Sequence, residues 1–182
     1  MGRSFGLAFV LALAGCAGAN KIALRPVTAK EVPIHFAYGS LEDAKATYYG
    51  GESSWSGTSV QRARYRAGDE FAFFELRRAV GDRYFVRRSV AAYVQTLLKE
   101  GTKVEWGTSG ELRGSAHPTA YETFLLPEAK AACVGLWRDV ADHPQAPSAD
   151  YAQVLLVGYY CRVGTMPIPA DEARAIAGAV HA

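Results

Sequence analysis

The sequence predicts an α+β fold: an antiparallel sheet with a helix near 89–100, a short C-terminal helix and one disulfide. Three observations carry this. Two apolar runs, 129–140 and 151–162, flank a segment rich in turn residues and hold the two internal cysteines at positions that face each other in a hairpin. Further stretches alternate in polarity or are rich in aromatic residues, as strands are. One segment, from Ser89 to Gly101, repeats its apolar residues at helical spacing.

Taken in order, 34–38 reads as an edge strand after Pro26 and Pro33, and 41–48 as a short helix. The glycine- and serine-rich stretch 49–58 reads as a loop presenting Trp55. Over 60–66, Gln61, Ala63 and Tyr65 alternate with Arg62, Arg64 and Arg66, which gives a strand one mildly apolar and one basic face. The aromatic-rich stretches 70–80 and 83–88 meet at Gly81-Asp82 and suggest a hairpin. Ser89 caps a helix whose Val90, Tyr93, Val94, Leu97 and Leu98 share one face, and Gly101 ends it. Strands at 102–106 and 119–126 flank a polar loop over 107–115. Pro169, Asp171 and Glu172 open the last helix, where the dipole favours acidic side chains. The helices are expected on one side of the sheet.

The first residues have a different logic. Arg3 is followed by an apolar run over 5–14, the order of a secretory leader, and the run is too short to span about 30 Å of hydrocarbon. It ends in Leu13-Ala14-Gly15-Cys16, which resembles the lipobox of bacterial lipoproteins. The resemblance covers the leader alone. It implies cleavage before Cys16, a diacylglycerol on the Cys16 sulfur and an acyl group on the new amino terminus, and two or more chains hold a protein stably on a membrane. The implied organisation is a signal peptide over 1–15, a lipidated tether over 16–31 and a single globular α+β domain over 32–182. The implied address is the bacterial cell envelope, and Ala17 rather than Asp after the lipidated cysteine leans toward the periplasmic face of the outer membrane in a Gram-negative host.

An exported chain matures in an oxidising compartment, so the remaining pair, Cys133 and Cys161, is read as a disulfide. With these two opposite each other in a hairpin, Trp137 faces Val157 and Gly135 faces Tyr159, both favourable cross-strand neighbours. A helix start at 127–132 leaves open a second arrangement, in which the bridge ties a helix to a strand.

Hydrophobic residues make up 49% and charged residues 21% of the chain, the composition of a folded globular protein rather than a disordered stalk. The formal charge of +2 creates no global field, and nucleic acid is not an expected partner. The charge is uneven, however. Arg62, Arg64, Arg66, Arg77, Arg78, Arg83, Arg87 and Arg88 face only Asp69, Glu70, Glu75 and Asp82 in the same stretch. If the three segments are neighbouring strands, Arg62, Arg64, Arg66, Arg77, Arg78, Arg87 and Arg88 form an anion-binding patch, because guanidinium forks match phosphate and carboxylate geometry. The plainer alternative is a solvated face whose arginine stems cover apolar surface.

No constellation for catalysis stands out. His35, His117, His143 and His181 are scattered, with no metal-ligand spacing, and read as solvated; no metal or cofactor is expected. Glu42-Asp43 and Asp171-Glu172 sit at expected helix starts, where capping explains them. Nucleophile elbows and phosphate loops do not occur. Tyr159, Tyr160 and Trp137 are read as hairpin core with a ligand groove as the alternative. Three functional readings follow. The first is a noncatalytic lipoprotein held on the membrane by its anchor and serving a protein assembly or envelope maintenance. The second is a binding module for an anionic envelope ligand through the arginine-rich face. The third is an envelope enzyme with dispersed active-site residues.

Overall fold

Successive side chains of a strand point to opposite faces, so a segment that alternates in polarity offers one face to a core and one to solvent, whereas a wholly apolar one needs cover on both. A computed structural model describes residues 22–53, 57–112, 118–140 and 151–182. The leader and lipobox, Trp55, His117 and His143 lie outside the described residues. In chain order the elements are β1 (Arg25–Val27), β2 (His35–Phe36), β3 (Thr47–Ser53), β4 (Thr58–Ala67), β5 (Glu70–Ala79), β6 (Phe85–Val86), α1 (Val90–Leu97), β7 (Glu105–Leu112), β8 (Thr119–Leu126), β9 (Ala131–Asp139), β10 (Tyr151–Ala152), β11 (Val154–Val163), α2 (Ala170–Gly178) and β12 (Val180–His181). Eight strands form one sheet in the order β1-β3-β4-β5-β11-β9-β8-β7, and the short pairs β10-β6 and β12-β2 stand apart from it. Adjacent strands are antiparallel throughout.

The cysteine hairpin has the register expected for it. Cys161 pairs with Cys133, Tyr159 with Gly135 and Val157 with Trp137, and the sulfurs form a disulfide across a Cα separation of 4.1 Å. The residues that left a helix open, Pro127–Ala129, make a single 3-10 turn. It closes on Lys130 with φ of 48°, after which the chain runs on as β9.

The sheet has two differently covered faces. On the first, Phe74, Leu76, Val134, Leu136, Leu156 and Tyr160 pack against Val32, Ile34, Phe36 and Leu41 and against Ala173, Ile176 and Ala177 of α2. Each such large side chain contributes about 1.5–3 kcal/mol on full burial. On the second face, Val90 and Val94 of α1 pack on Phe124, Ala131, Cys133 and Cys161, while Tyr93 and the half-buried Leu97 meet Leu155 and Val157. Two helices with one apolar stripe each thus serve opposite faces, in place of the expected single side. The reason is that β9 and β11 are apolar at both odd and even positions, so each face needs a cover.

Several local expectations give way to tertiary pairing. The hairpin foreseen at Gly81-Asp82 does not form: β5 pairs with β4 and β11, and β6 pairs with β10. The tight turn is at Gly68-Asp69 instead, where Gly68 takes φ of 53°. Residues 41–48 are not a helix; a 3-10 turn over Gly39–Leu41 is followed by β3. Of the stretch 49–58, residues 49–53 are strand paired with β4 and 54–56 lie outside the described residues; Gly51 lets the backbone of Ala23 approach to where a Cβ would lie 2.5 Å from its carbonyl oxygen. Likewise β7 extends to Leu112 through the foreseen loop, with a register shift between Trp106 and Ser109. Of the expected tether over 16–31, residues 16–21 lie outside the described residues, and Arg25–Val27 form the outer strand of the sheet.

Candidate functional site

Where α1 stops, the second face stays open. Helix α1 lies over β8, β9 and β11, and the β3–β4–β5 half of the face is left as a groove of about 830 Å³. Its lining includes Lys45, Arg62, Arg64, Arg66, Arg77 and the rings of Phe71, Phe73 and Tyr159, with Thr96 and Leu97 as the helix-side rim.

The residues arrive there by register. The Gly68-Asp69 turn sets Arg66 opposite Phe71, Arg64 opposite Phe73 and Arg62 opposite Glu75. On the next strand Tyr159 stands beside Phe73 and Val157 beside Glu75. Three arginines at alternate positions of β4 therefore stand in a row, roughly 7 Å apart along the strand, next to a row of aromatic rings. Arg64 lies over both Tyr49 and Phe73, with its guanidinium carbon 5.3 and 5.4 Å from the ring centroids, and Arg62 lies 5.7 Å from the Phe73 centroid. Stacking on a ring face holds a guanidinium flat while its N–H edge stays free to donate.

Glu75 anchors the row. It is 2% exposed, and its two carboxylate oxygens accept from Arg62 Nε and Arg77 Nε at 2.5 Å each. A carboxylate buried this deeply is tolerated because both oxygens are paired. Arg77 also donates from Nη2 to Thr96 Oγ1 at 3.3 Å, tying the groove to α1. Arg62 meets Glu75 through Nε. Arg64, Arg66 and Lys45 have no ion-pair partner among the described residues, and all three are exposed. Five cations thus face one acid across the groove. Burial pushes the Tyr159 hydroxyl above its ordinary pKa, partly offset by the nearby Arg64 charge.

The expected arginine patch divides. Arg62, Arg64, Arg66 and Arg77 come together. Arg78, one residue out of phase, lines a separate hollow of about 620 Å³ with Arg25, Glu31 and Gln61. Arg87 is not on a neighbouring strand; it is committed to an ion pair with Asp139 and lies over Trp137. Arg88 is exposed just beyond β6 and does not line the groove. The groove also contains residues that the sequence reading did not single out: Lys45, Phe71, Phe73 and Thr96. A two-residue turn at Gly68-Asp69 was the available signal, since it fixes which β5 residue faces each arginine. Of the tyrosine pair, Tyr159 lines the groove and Tyr160 is core on the other face, where its hydroxyl donates to Glu70 at 2.8 Å.

Glu70 and Glu172 are held in hydrogen-bonded positions on the side of the sheet away from the groove, Glu172 on α2. Burial would raise the Glu70 carboxyl, but hydrogen bonds from the Ser40 hydroxyl, Tyr160 and the Ser40 backbone outweigh it and hold the group below its ordinary value. Glu172, foreseen as a capping residue, accepts both Arg162 and Tyr38. His35 and His181 are exposed and face each other across the β2–β12 pair. Among the described residues no three His, Cys, Asp or Glu side chains gather as a metal site would require, and no helix is long and apolar enough to cross a membrane. Comparison with protein-family models, with curated proteins and with solved structures found no match.

Proposed function

We propose that this chain is a noncatalytic lipoprotein of the bacterial cell envelope, held on the membrane by acyl chains on Cys16, and that its open sheet face binds an anionic group. The observation that supports it is the groove over β3–β5, where five cations meet one buried acid beside an aromatic floor. Arginine does not give up its proton at physiological pH, so such a row suits recognition through charge-assisted hydrogen bonds better than proton transfer. The Leu13-Ala14-Gly15-Cys16 resemblance supplies the address and the membrane as a partner.

Two measurements test the two halves of the reading. Growth with labelled palmitate should mark the protein, and Cys16→Ser should lose both the label and membrane partition; an unlabelled parent that still sediments with membranes would refute the anchor. Replacing Arg62, Arg64 and Arg66 together by Gln should weaken binding to vesicles containing an anionic phospholipid and flatten its salt dependence, because exposed charges act through a screened field. Binding that the triple variant leaves unchanged would remove the groove from consideration.

A further inference from the structure

The groove is two-sided, and the sidedness says more about its ligand than the charge does. The β4 side carries Arg62, Arg64 and Arg66, with Lys45 and Thr47 beyond it. Toward α1 the lining changes to Phe71, Phe73, Tyr159 and Leu97, with one further cation, Arg77, held by Glu75 and Thr96 at the helix rim. A small hydrophilic anion would use the cations and leave the second strip wet. A bare apolar ligand would leave the arginines unpaired. A volume of about 830 Å³ is in the range of clefts that take a whole organic ligand.

Covalent geometry adds the location. Arg25 lies nine positions after Cys16, so even a fully extended tether keeps the start of β1 within about 30 Å of an anchored cysteine. Strand β1 pairs with β3, which borders the groove. A site this close to the anchor meets membrane lipid at high local concentration.

We propose that the groove seats a single phosphate-headed amphiphile from the anchoring membrane, with its phosphate on Arg64 and Arg66 and the first part of its apolar chain along Phe71, Tyr159 and Leu97. This rests on the anion-binding reading of the same face. Two chemical features are required together: an oxyanion for the guanidinium forks and several methylenes for the aromatic strip. The N–H edges left free by ring stacking supply the first. The uncovered flank of α1 supplies the second.

Titration calorimetry of the full-length protein separates the parts, using glycerol 3-phosphate, dihexanoyl-phosphatidylglycerol and dihexanoyl-phosphatidylcholine, with both lipids kept below the concentration at which they form micelles. The anionic lipid should bind at least ~10-fold more tightly than glycerol 3-phosphate, the gain expected from burying about two methylenes. It should also bind more tightly than the zwitterionic lipid, whose own ammonium competes with the arginines. Arg64→Gln with Arg66→Gln should weaken glycerol 3-phosphate and the anionic lipid alike, while an unchanged urea midpoint shows the fold intact. Equal affinity for glycerol 3-phosphate and the anionic lipid would overturn the amphiphile and leave the anion site standing. Equal affinity for the two lipids would overturn the role given to the arginines. Heat from none of the three would overturn the anion-binding reading itself.

Discussion

The two halves of the second sheet face are made from strands of the same antiparallel kind, yet one is dry and the other open. Under α1 the inward positions are Ala131, Cys133 and Gly135 on β9 and Cys161 on β11, small enough for Val90 and Val94 to settle on the sheet. A Cβ at Gly135 would lie 2.5 Å from Val94 Cγ2, which measures how close the helix sits. Across β3–β5 the corresponding positions are Arg62, Arg64, Arg66, Arg77 and Glu75 beside Phe71 and Phe73, and no helix can bury the charged row without stranding charge. A helix therefore covers as much of a sheet as its small and apolar residues permit. The charged remainder becomes the surface available for recognition.

That contrast can be broken from the covered side first. Removing the bridge with Cys133→Ala and Cys161→Ala should cost about 3–4 kcal/mol, from the 28-residue separation it closes and the loss of its packing under α1. Urea denaturation of parent and variant reads the difference, and a loss below about 1 kcal/mol would show that α1 packing alone sustains this half. Gly135→Val should cost about 1–3 kcal/mol, the range for overpacking a closed site, by pushing α1 off β9. Amide exchange should rise in 90–97 and stay unchanged in β4 and β5; uniform protection would mean the helix gives way without cost.

A pH effect is smaller and also belongs to the covered half. Burial holds the Glu122 carboxyl above its ordinary value of 4.5, with the Ala91 N–H acting in the other direction. The folded state then binds more protons than the unfolded state just above 4.5, so stability falls as pH rises through that window. Glu122→Gln should remove this fall, so that the variant gains on the parent between pH of about 4 and about 6. Parallel urea midpoints for the two proteins over that range would contradict it. Smallest of all in stability is the open half: Arg64→Gln with Arg66→Gln should move stability by no more than about 1 kcal/mol, since both side chains are exposed and neither is in an ion pair among the described residues, whereas Arg62 is left in place to keep the buried Glu75 paired. A much larger loss would mean that the row is structural.

How much of this was legible follows from the range of the interactions involved. The cysteine hairpin was readable because one pairing sets every other pairing along two strands, and the sterics of Trp137 with Val157 and Gly135 with Tyr159 agreed with it. Helix α1 was readable because Ser89 and the apolar stripe are local, and Ser89 Oγ does accept from Ala92 N–H at 3.2 Å. The basic face of β4 was readable from alternation alone. The glycines of β3 and β7 misled for a physical reason: glycine serves turns and close backbone contacts equally well, and only the partner strand shows which. Arg78 and Arg87 joined the expected patch because counting arginines ignores phase. A one-residue offset sends Arg78 to the other face, and β6 does not border β5.

By itself the sequence determined the alternation that makes the two faces of β4, the apolar runs of β9 and β11, the cap and stripe of α1, and the pairing of Cys133 with Cys161, all of which depend on near neighbours or on one hairpin. Only the tertiary structure decided that α1 and α2 take opposite faces, that Glu75 lies between Arg62 and Arg77, and that Tyr159 closes the groove while Tyr160 is buried behind it. Those outcomes depend on which strands become neighbours across long stretches of chain. That choice is made by the burial of both faces at once, and no local pattern encodes it.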